Sequence, residues 1–134
     1  MNYKSLMQSN AGWGVSLLRV LTGIIYCKHG LGKFQGLEGT GNYFGSLGIP
    51  QPDVMAIVVA TVEGMGGVLL VMGLFTRVVS ALQAFVVFVA IALVHFDAGM
   101  FGKGGYEFAS LLMIASLCLV LEGGGKVSLD SKLS

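Results

Sequence analysis

The sequence predicts an all-α protein, an integral membrane bundle of four transmembrane helices. Of its 134 residues, 54% are hydrophobic and 11% are charged, whereas about a quarter of the residues in an average soluble domain are charged. The mean hydropathy is +0.81, so most side chains must face either lipid or one another. The apolar stretches lack the alternation of polar and apolar residues that is typical of membrane strands. Helices, which satisfy their backbone polar groups within one span, are therefore expected.

Four apolar stretches reach the roughly 17 to 25 residues that a hydrocarbon core of ~30 Å requires. They cover residues 12–32, 53–75, 76–96 and 105–122. Arg19 interrupts the first stretch, and no small-residue cleavage site follows it, so we expect this stretch to remain as a span and not to be removed as a signal peptide. A chain of 14.0 kDa has the length of one domain, and a single domain over residues 1–134 is predicted.

The connections between the spans differ in length. The segment GLFTRVV allows only a tight turn between the second and third spans, which predicts an antiparallel helix pair with Thr76 as the N-cap of the third span. The first connection, FQGLEGTGNYFGSLGIPQPD, is long and rich in glycine but partly apolar. We expect it to fold onto the membrane surface, with a short helix around Gly41–Leu47. Pro50 and Pro52 break the chain before Asp53, the expected cap of the second span.

Lysines and arginines near the ends of the spans predict the orientation. One side of the bundle carries Lys4, Arg77, Lys126, Lys132 and, within the nearer half of the first span, Arg19, whereas the other side carries Lys28, Lys33 and Lys103. This difference predicts that both termini are cytoplasmic. The net charge of +1 gives no basic surface for nucleic acid. The lipid bilayer is the expected partner, and faces of small residues would allow a homodimer.

Ionisable residues inside the spans are candidates for function, because a charge at the middle of a membrane helix costs about 2.5 to 3.5 kcal/mol. Arg19, Tyr26 and Glu63 are expected to form a buried polar core. Arg19 and Glu63 lie on neighbouring antiparallel spans and can form a pair, while the sequence leaves Glu107 open as another partner of Arg19. Such a pair either fixes only the register of the helices or handles a proton or a ligand.

A second group of polar residues gathers at the outer ends of the spans. His29 ends the first span, His95 ends the third, and Tyr106 and Glu107 open the fourth. A purely structural role is open for each, since interfacial tyrosines and packed histidines are common in membrane proteins. The functional interpretation is a site for an amphiphilic redox molecule such as a quinone, whose ring oxygens need donors while its tail stays in lipid. Histidine and a partly desolvated glutamate supply acids that titrate near neutral pH.

Several motifs resemble those of the DoxX family of small bacterial inner-membrane proteins. The matching segments are LLRVLTGIIYCKHGLGKF, GSLGIPQP, VEGMGGVLLVMGLFTR and GGYEFASLLMIA, which follow one another across nearly the whole chain. The resemblance implies a four-helix protein of the bacterial inner membrane. The relatives that gave the family its name are linked to a thiosulfate:quinone oxidoreductase, so the resemblance also implies a place in a quinone-linked redox or redox-stress system with a redox protein as partner. It assigns no catalytic role to any residue of this chain.

The function preferred from the sequence is a subunit of a quinone-linked membrane oxidoreductase or redox-stress system, with quinone as the candidate cofactor. Two other classes stay open, a non-catalytic scaffold or anchor for a partner protein and a small transporter. The sequence contains no nucleophile–base arrangement, phosphate loop or nucleotide motif, so catalysis by this chain alone is not expected. It also lacks HExxH, CxxC and ExxH motifs, and no metal site is predicted.

Overall fold

The computed structural model describes residues 3–134, apart from the side chain of Ala11, and this described part is helical without strands. The first two residues of the predicted domain lie outside it. The helices are α1 (Tyr3–Leu6), α2 (Ala11–Gln35), α3 (Leu37–Ser46), α4 (Pro52–Met72), α5 (Thr76–Ala90), α6 (Glu107–Glu122) and α7 (Leu129–Leu133). A π-helical turn, Ile91–His95, and a 3-10 turn, Phe96–Ala98, continue α5. The predicted all-α class is confirmed.

Two helical stretches, Pro52–Met72 and Thr76–Ala98, are long and apolar enough to cross a membrane. They correspond to the predicted second and third spans. Helix α2 is longer, with 25 residues, but includes Arg19, Lys28 and Lys33, whereas α6 has 16 residues. Neither α2 nor α6 meets the same standard of length and apolar composition. The arrangement with four spans therefore stays a prediction.

The four long helices form a ring in which α2 and α5 each contact both α4 and α6. The closest approach is between α2 and α4, where glycines remove the side chains that would separate the two backbones. A Cβ atom on Gly30 would lie 2.1 Å from the backbone nitrogen of Gly64, and one on Gly67 would lie 2.6 Å from the backbone nitrogen of Cys27. Small residues of this kind allow membrane helices to pack backbone against backbone.

The apolar side chains divide between a core and a large outer surface. The buried core consists of Val15, Tyr26, Leu70, Val79, Val87, Leu112 and Leu119. On the outer faces of the same helices, Leu17, Phe85 and Leu111 are among many large apolar side chains that are more than half exposed. Soluble proteins rarely expose so much contiguous apolar surface. The outside of this bundle is therefore suited to lipid.

The ends of α4 and α5 are capped differently from the sequence-based prediction. Asp130 of α7 accepts hydrogen bonds from the backbone N–H groups of Phe75 and Thr76, at 2.8 and 2.9 Å. Asp130 thus caps α5, and Thr76 is the first helical residue. Helix α4 starts at Pro52, after Gln51 in a left-handed conformation. The prediction of Thr76 as a cap was wrong, because the cap comes from a distant part of the chain.

Asp130→Asn is expected to lower the free energy of unfolding by about 1 kcal/mol at neutral pH, because an amide oxygen is a weaker partner for a helix N-terminus than a carboxylate. Burial alone would raise the pKa of Asp130, but the hydrogen bonds from Thr76 and Phe75 and the charge of Arg19 outweigh burial and lower this pKa below its usual value. The stability from Asp130 is therefore fully present above the usual aspartate pKa and is lost as the pH falls through the lowered pKa.

Thermal unfolding of the protein in detergent, followed across the acid range, measures both effects. The difference between wild type and Asp130→Asn should shrink as the pH falls. Asp97→Asn removes an exposed carboxylate and is the control, for which no difference is expected at any pH. Equal stability of Asp130→Asn and wild type at neutral pH would show that this cap contributes nothing.

Candidate functional site

A cavity of about 520 Å³ lies between the ends of α2, α3, α4 and α5, and we call it the α3 cavity. Its wall is mostly apolar and includes Phe44, Leu47, Met55, Val59, Phe85 and Val89. The side chains of Lys33, Glu63 and His95 also line it, together with the phenol of Tyr43. An apolar pocket with a few convergent polar groups is the usual form of a small-molecule site.

Helix α3 covers this cavity because the chain turns sharply on both sides of the helix. Gly36 ends α2 and immediately precedes α3. After α3, Gly48 takes a left-handed φ of 80°, and Pro52 starts α4. Helix α3 packs on the start of α4 where Gly41 has no side chain, since a Cβ atom there would lie 2.4 Å from the Asp53 carboxylate. The long connection between α2 and α4 thus forms a roof over the cavity.

The far end of α5 forms another part of the wall. The last regular turn of this helix is followed by the π-helical turn Ile91–His95, and π turns are frequent at functional sites. Leu93, Val94 and His95 in this turn all line the cavity. The Nδ1 atom of His95 lies 2.8 Å from the carbonyl oxygen of Gly104. This contact fixes the imidazole at the edge of the cavity.

An ion pair between α2 and α4 forms the polar end of the cavity. The Nζ atom of Lys33 lies 2.6 Å from Oε2 of Glu63, and the two side chains are 25% and 9% exposed. Each charge therefore has its partner in a place with little solvent. Removal of either member would leave the charge of the other buried and unpaired, which would destabilise the fold.

Glu63, one of the two partners that the sequence leaves open for Arg19, pairs with Lys33 instead. Gly30 packs against Gly64, and this contact sets Glu63 level with the end of α2 that carries Lys33. Arg19 lies 11 residues before Gly30, which is about 16 Å along a helix. It is too far from Glu63 for a direct contact, and so the sequence-based pairing used the correct helices in the wrong register.

Arg19 instead joins the opposite end of the bundle to the C-terminal segment. Its Nε atom donates a hydrogen bond to the carbonyl oxygen of Leu70 at 2.8 Å, and its Nη1 atom donates to the carbonyl oxygen of Gly124. The hydroxyl of Ser16 also donates to Gly124, at 3.2 Å. Arg19 is 2% exposed and interacts electrostatically with Asp130. These contacts give Arg19 a structural role, and Glu107 is not its partner.

Of the four ligand-binding residues predicted from the sequence, His95 alone lines the α3 cavity. His29 is exposed, with its ring centroid 6.4 Å from that of Phe108 on α6. The predicted site was expected to lie between the first, third and fourth spans. His29 does not line the cavity with His95, because its ring contacts α6.

The remaining two predicted residues lie at the start of α6. Tyr106 is partly buried and stacks on Phe96, with ring centroids 6.2 Å apart. Glu107 is the exposed first residue of the helix. Both residues lie outside the α3 cavity. Their neighbours contact the predicted histidines' part of the bundle, since Tyr106 stacks on Phe96, the residue after His95, and Phe108, the residue after Glu107, contacts His29.

The other predicted group, the buried polar core of Arg19, Tyr26 and Glu63, is divided along the bundle. All three side chains are buried. The hydroxyl of Tyr26 lies 2.7 Å from that of Ser116, which joins α2 to α6. Arg19 and Glu63 lie toward opposite ends, and only Glu63 of these three lines the cavity.

Lys33 is a site residue that the sequence analysis misses, because there it counts only toward the orientation of the spans. A signal for its position exists in the sequence. Lys33 follows Tyr26 by seven residues and Gly30 by three, and such spacings place residues on one face of a helix. Since Tyr26 and Gly30 both face the bundle, the same face carries Lys33 toward Glu63.

Comparison with known proteins identifies the family of this chain. The sequence model of DoxX matches residues 14–96. This chain belongs to the DoxX family. The matched range includes Lys33, Tyr43, Glu63 and His95 of the cavity wall. It also includes the whole of α3, so the roof of the cavity lies within the family region.

The relatives of this DoxX protein cover most of its length. A Bacillus subtilis protein named "Putative oxidoreductase CatD" is 47% identical over 117 residues, which are 87% of this chain and 84% of the relative. Escherichia coli "Inner membrane protein YphA" is 30% identical over 122 residues, 87% of each chain, and "Inner membrane protein YqjF" is 29% identical over 123 residues, 90% of this chain and 92% of the relative. No solved structure matches. The family and these names identify this DoxX protein as a membrane protein.

Proposed function

We propose that this DoxX protein is a membrane subunit of a quinone-linked redox system and that it binds the quinone in the α3 cavity. The observation that carries the proposal is the Lys33–Glu63 ion pair at the end of a mostly apolar cavity of about 520 Å³. A quinone requires apolar walls for its ring and tail and a small number of hydrogen-bonding groups for its oxygens. The name of the Bacillus subtilis relative supports the oxidoreductase class.

The residues of the cavity suit the two ends of such a molecule. The ammonium of Lys33 has three N–H donors, and Glu63 needs one of them, so another can donate to a ring oxygen. A bound quinone would supply the capacity to carry electrons together with protons. Glu63 would hold the Lys33 ammonium in place beside the ring, and His95 would exchange protons at the edge of the cavity, where it is partly exposed.

The proposed membrane arrangement has four spans in the bacterial inner membrane, with both termini in the cytoplasm. The two long apolar stretches in α4 and α5 support two of the spans, and the lipid-facing apolar side chains of α2 and α6 support the others. Lysine and arginine are in excess at the end of the bundle that holds both termini, and this excess favours a cytoplasmic location for that end. The α3 cavity then faces the outer leaflet. The expected partners are the lipid bilayer and a redox protein that exchanges electrons with the quinone.

Binding and photolabelling of a quinone analogue test this function. The purified protein in lipid nanodiscs is titrated with an azido derivative of a short-tailed ubiquinone and irradiated, and the labelled peptides are mapped by mass spectrometry. We expect saturable binding and labels on α3 or on the end of α5 between residues 85 and 95. A scaffold or a transporter without a quinone site predicts no saturable binding. Labels confined to α6 would place the quinone at the site expected from the sequence and contradict the α3 cavity.

A further inference from the structure

Three buried polar side chains on α5 have an atom without a hydrogen-bond partner in the described part of the chain. Oγ1 of Thr76 lies at the start of the helix, and the other two atoms, Oγ of Ser80 and Oε1 of Gln83, lie further along it in residues that are 0% exposed. A buried polar atom left without a partner costs about 1 to 3 kcal/mol. Native interiors avoid this cost by pairing such atoms or by binding ordered water. Ser80 and Gln83 lie three residues apart, so they share one face of α5.

Ser80 differs from other hydroxyl residues on the helices of this protein. A helical serine or threonine without another partner usually turns its hydroxyl to the carbonyl four residues earlier. Ser116 does so with Leu112 at 2.9 Å, and Thr61 with Ile57 at 2.8 Å. The hydroxyl of Ser80 makes no such bond and is available to a group in the bundle interior.

Gln83 lies beside the turn of α4 that carries Glu63. Its Nε2 atom donates to the carbonyl oxygen of Val62, the residue before Glu63, at 3.3 Å. Gly66, one turn further along α4, makes room for this amide, since a Cβ atom there would lie 2.9 Å from Nε2. Neither Gln83 nor Ser80 lines the α3 cavity. Ser80 lies one turn nearer to the start of α5, so both side chains lie in the bundle interior outside the cavity.

We propose that Ser80 and Gln83 bind an internal water molecule behind Glu63. The water donates one hydrogen bond to Oε1 of Gln83 and accepts one from the hydroxyl of Ser80, which satisfies both atoms. Its second hydrogen is free to point toward Glu63.

The purpose of this water rests on the proposed function. A ligand that fills the α3 cavity excludes solvent from the cavity side of Glu63, and the internal water then provides a hydrogen-bond donor on the other side. The existence of the water site depends only on the buried atoms of Ser80 and Gln83. The two proposals can therefore fail independently.

Water-edited solid-state NMR of the labelled protein in bilayers tests the site directly. Without ligand, the side-chain amide of Gln83 should receive magnetisation from water at a rate at least about threefold above that of the buried methyl groups of Leu70 and Leu119, which are expected to be dry. The amides of exposed Gln35 and Gln51 are the hydrated reference. A rate for Gln83 as low as that of the two leucines would overturn the proposal.

Two variants separate a bound water from general hydration of the bundle. Ser80→Ala removes one ligand of the water and should lower the transfer to Gln83 by about half, since a buried water needs two or more polar partners. Thr61→Val removes a hydroxyl that bonds within its own helix and should leave the transfer unchanged. Equal effects of the two variants would contradict the role of Ser80.

A second measurement uses the protein saturated with decylubiquinone. The transfer to His95 should fall because the ligand displaces water from the cavity, while the transfer to Gln83 should persist. Loss of both signals would overturn an internal water that is separate from the cavity. If decylubiquinone does not bind, the proposed function fails, and the measurement without ligand still decides whether the water site exists.

Discussion

Gly30→Ala is expected to prevent folding of the bundle or to lower the free energy of unfolding by about 3 kcal/mol or more, at the upper end of the usual range for overpacking. The new Cβ atom would lie 2.1 Å from the nitrogen and 2.4 Å from the Cα atom of Gly64, and 2.9 Å from the carbonyl oxygen of Ala60. All three are backbone atoms that cannot rotate away. Helices α2 and α4 would have to separate, and Lys33 would move away from Glu63.

Gly32→Ala is the matched control on the same helix. No atom lies within 4 Å of a Cβ atom at Gly32, and alanine is favoured over glycine inside a helix by about 1 kcal/mol. We expect Gly32→Ala to be as stable as wild type or slightly more stable. Thermal unfolding in detergent, followed by circular dichroism, gives the comparison. Equal stability of the two variants would contradict the close contact of α2 with α4.

The long helices could be predicted from the sequence because their length and most of their ends are local properties, the cap of α5 by Asp130 being the exception. The predicted span 53–75 corresponds to α4 at Pro52–Met72, since a proline starts the helix and Gly73 ends it with a left-handed φ of 73°. The short helix expected around Gly41–Leu47 is present as α3, Leu37–Ser46. It starts earlier than predicted because the break between α2 and α3 is a single residue, Gly36, so that α3 starts directly at Leu37.

The pairing of charges could not be predicted, because it depends on the register between two helices. The spacing of residues along α2 indicates which side chains share a face, but not how far along α4 that face meets its partner. The register is fixed by contacts between backbones, in which Gly30 meets Gly64 and Gly67 meets Cys27. These contacts bring Lys33, and not Arg19, to Glu63.

The location of the candidate site depends on the order of the helices around the ring. The sequence-based site placed His29 and Glu107 beside His95 because all three lie near one end of the spans. In the structure, α3 packs on α4 and closes a cavity on the side away from α6. The depth of a residue in the membrane can be estimated from the sequence. The residues that surround it at that depth are decided by tertiary packing.

Lys33→Met is expected to weaken quinone binding at least about tenfold, which corresponds to about 1.4 kcal/mol. The variant removes the N–H donors at the polar end of the α3 cavity and keeps a side chain of similar length. Lys28→Met is the matched control, since Lys28 is an exposed lysine of the same helix that does not line the cavity. Its affinity for quinone should equal that of wild type.

Lys33→Met also leaves the buried carboxylate of Glu63 without its partner, which can destabilise the fold by several kcal/mol. The double variant Lys33→Met with Glu63→Gln removes both charges and avoids this loss. We expect it to fold and still to bind quinone at least about tenfold more weakly than wild type. Circular dichroism and thermal unfolding of each variant show whether the affinities are compared between folded proteins.

The affinity of these folded proteins for decylubiquinone in lipid nanodiscs, measured by equilibrium titration, tests most directly whether the α3 cavity binds a quinone through its ion pair. The predicted result is saturable binding that is unchanged in Lys28→Met and weakened at least about tenfold when Lys33 and Glu63 are both replaced. Equal affinity of wild type and the folded double variant, or the absence of saturable binding to wild type, would contradict this assignment.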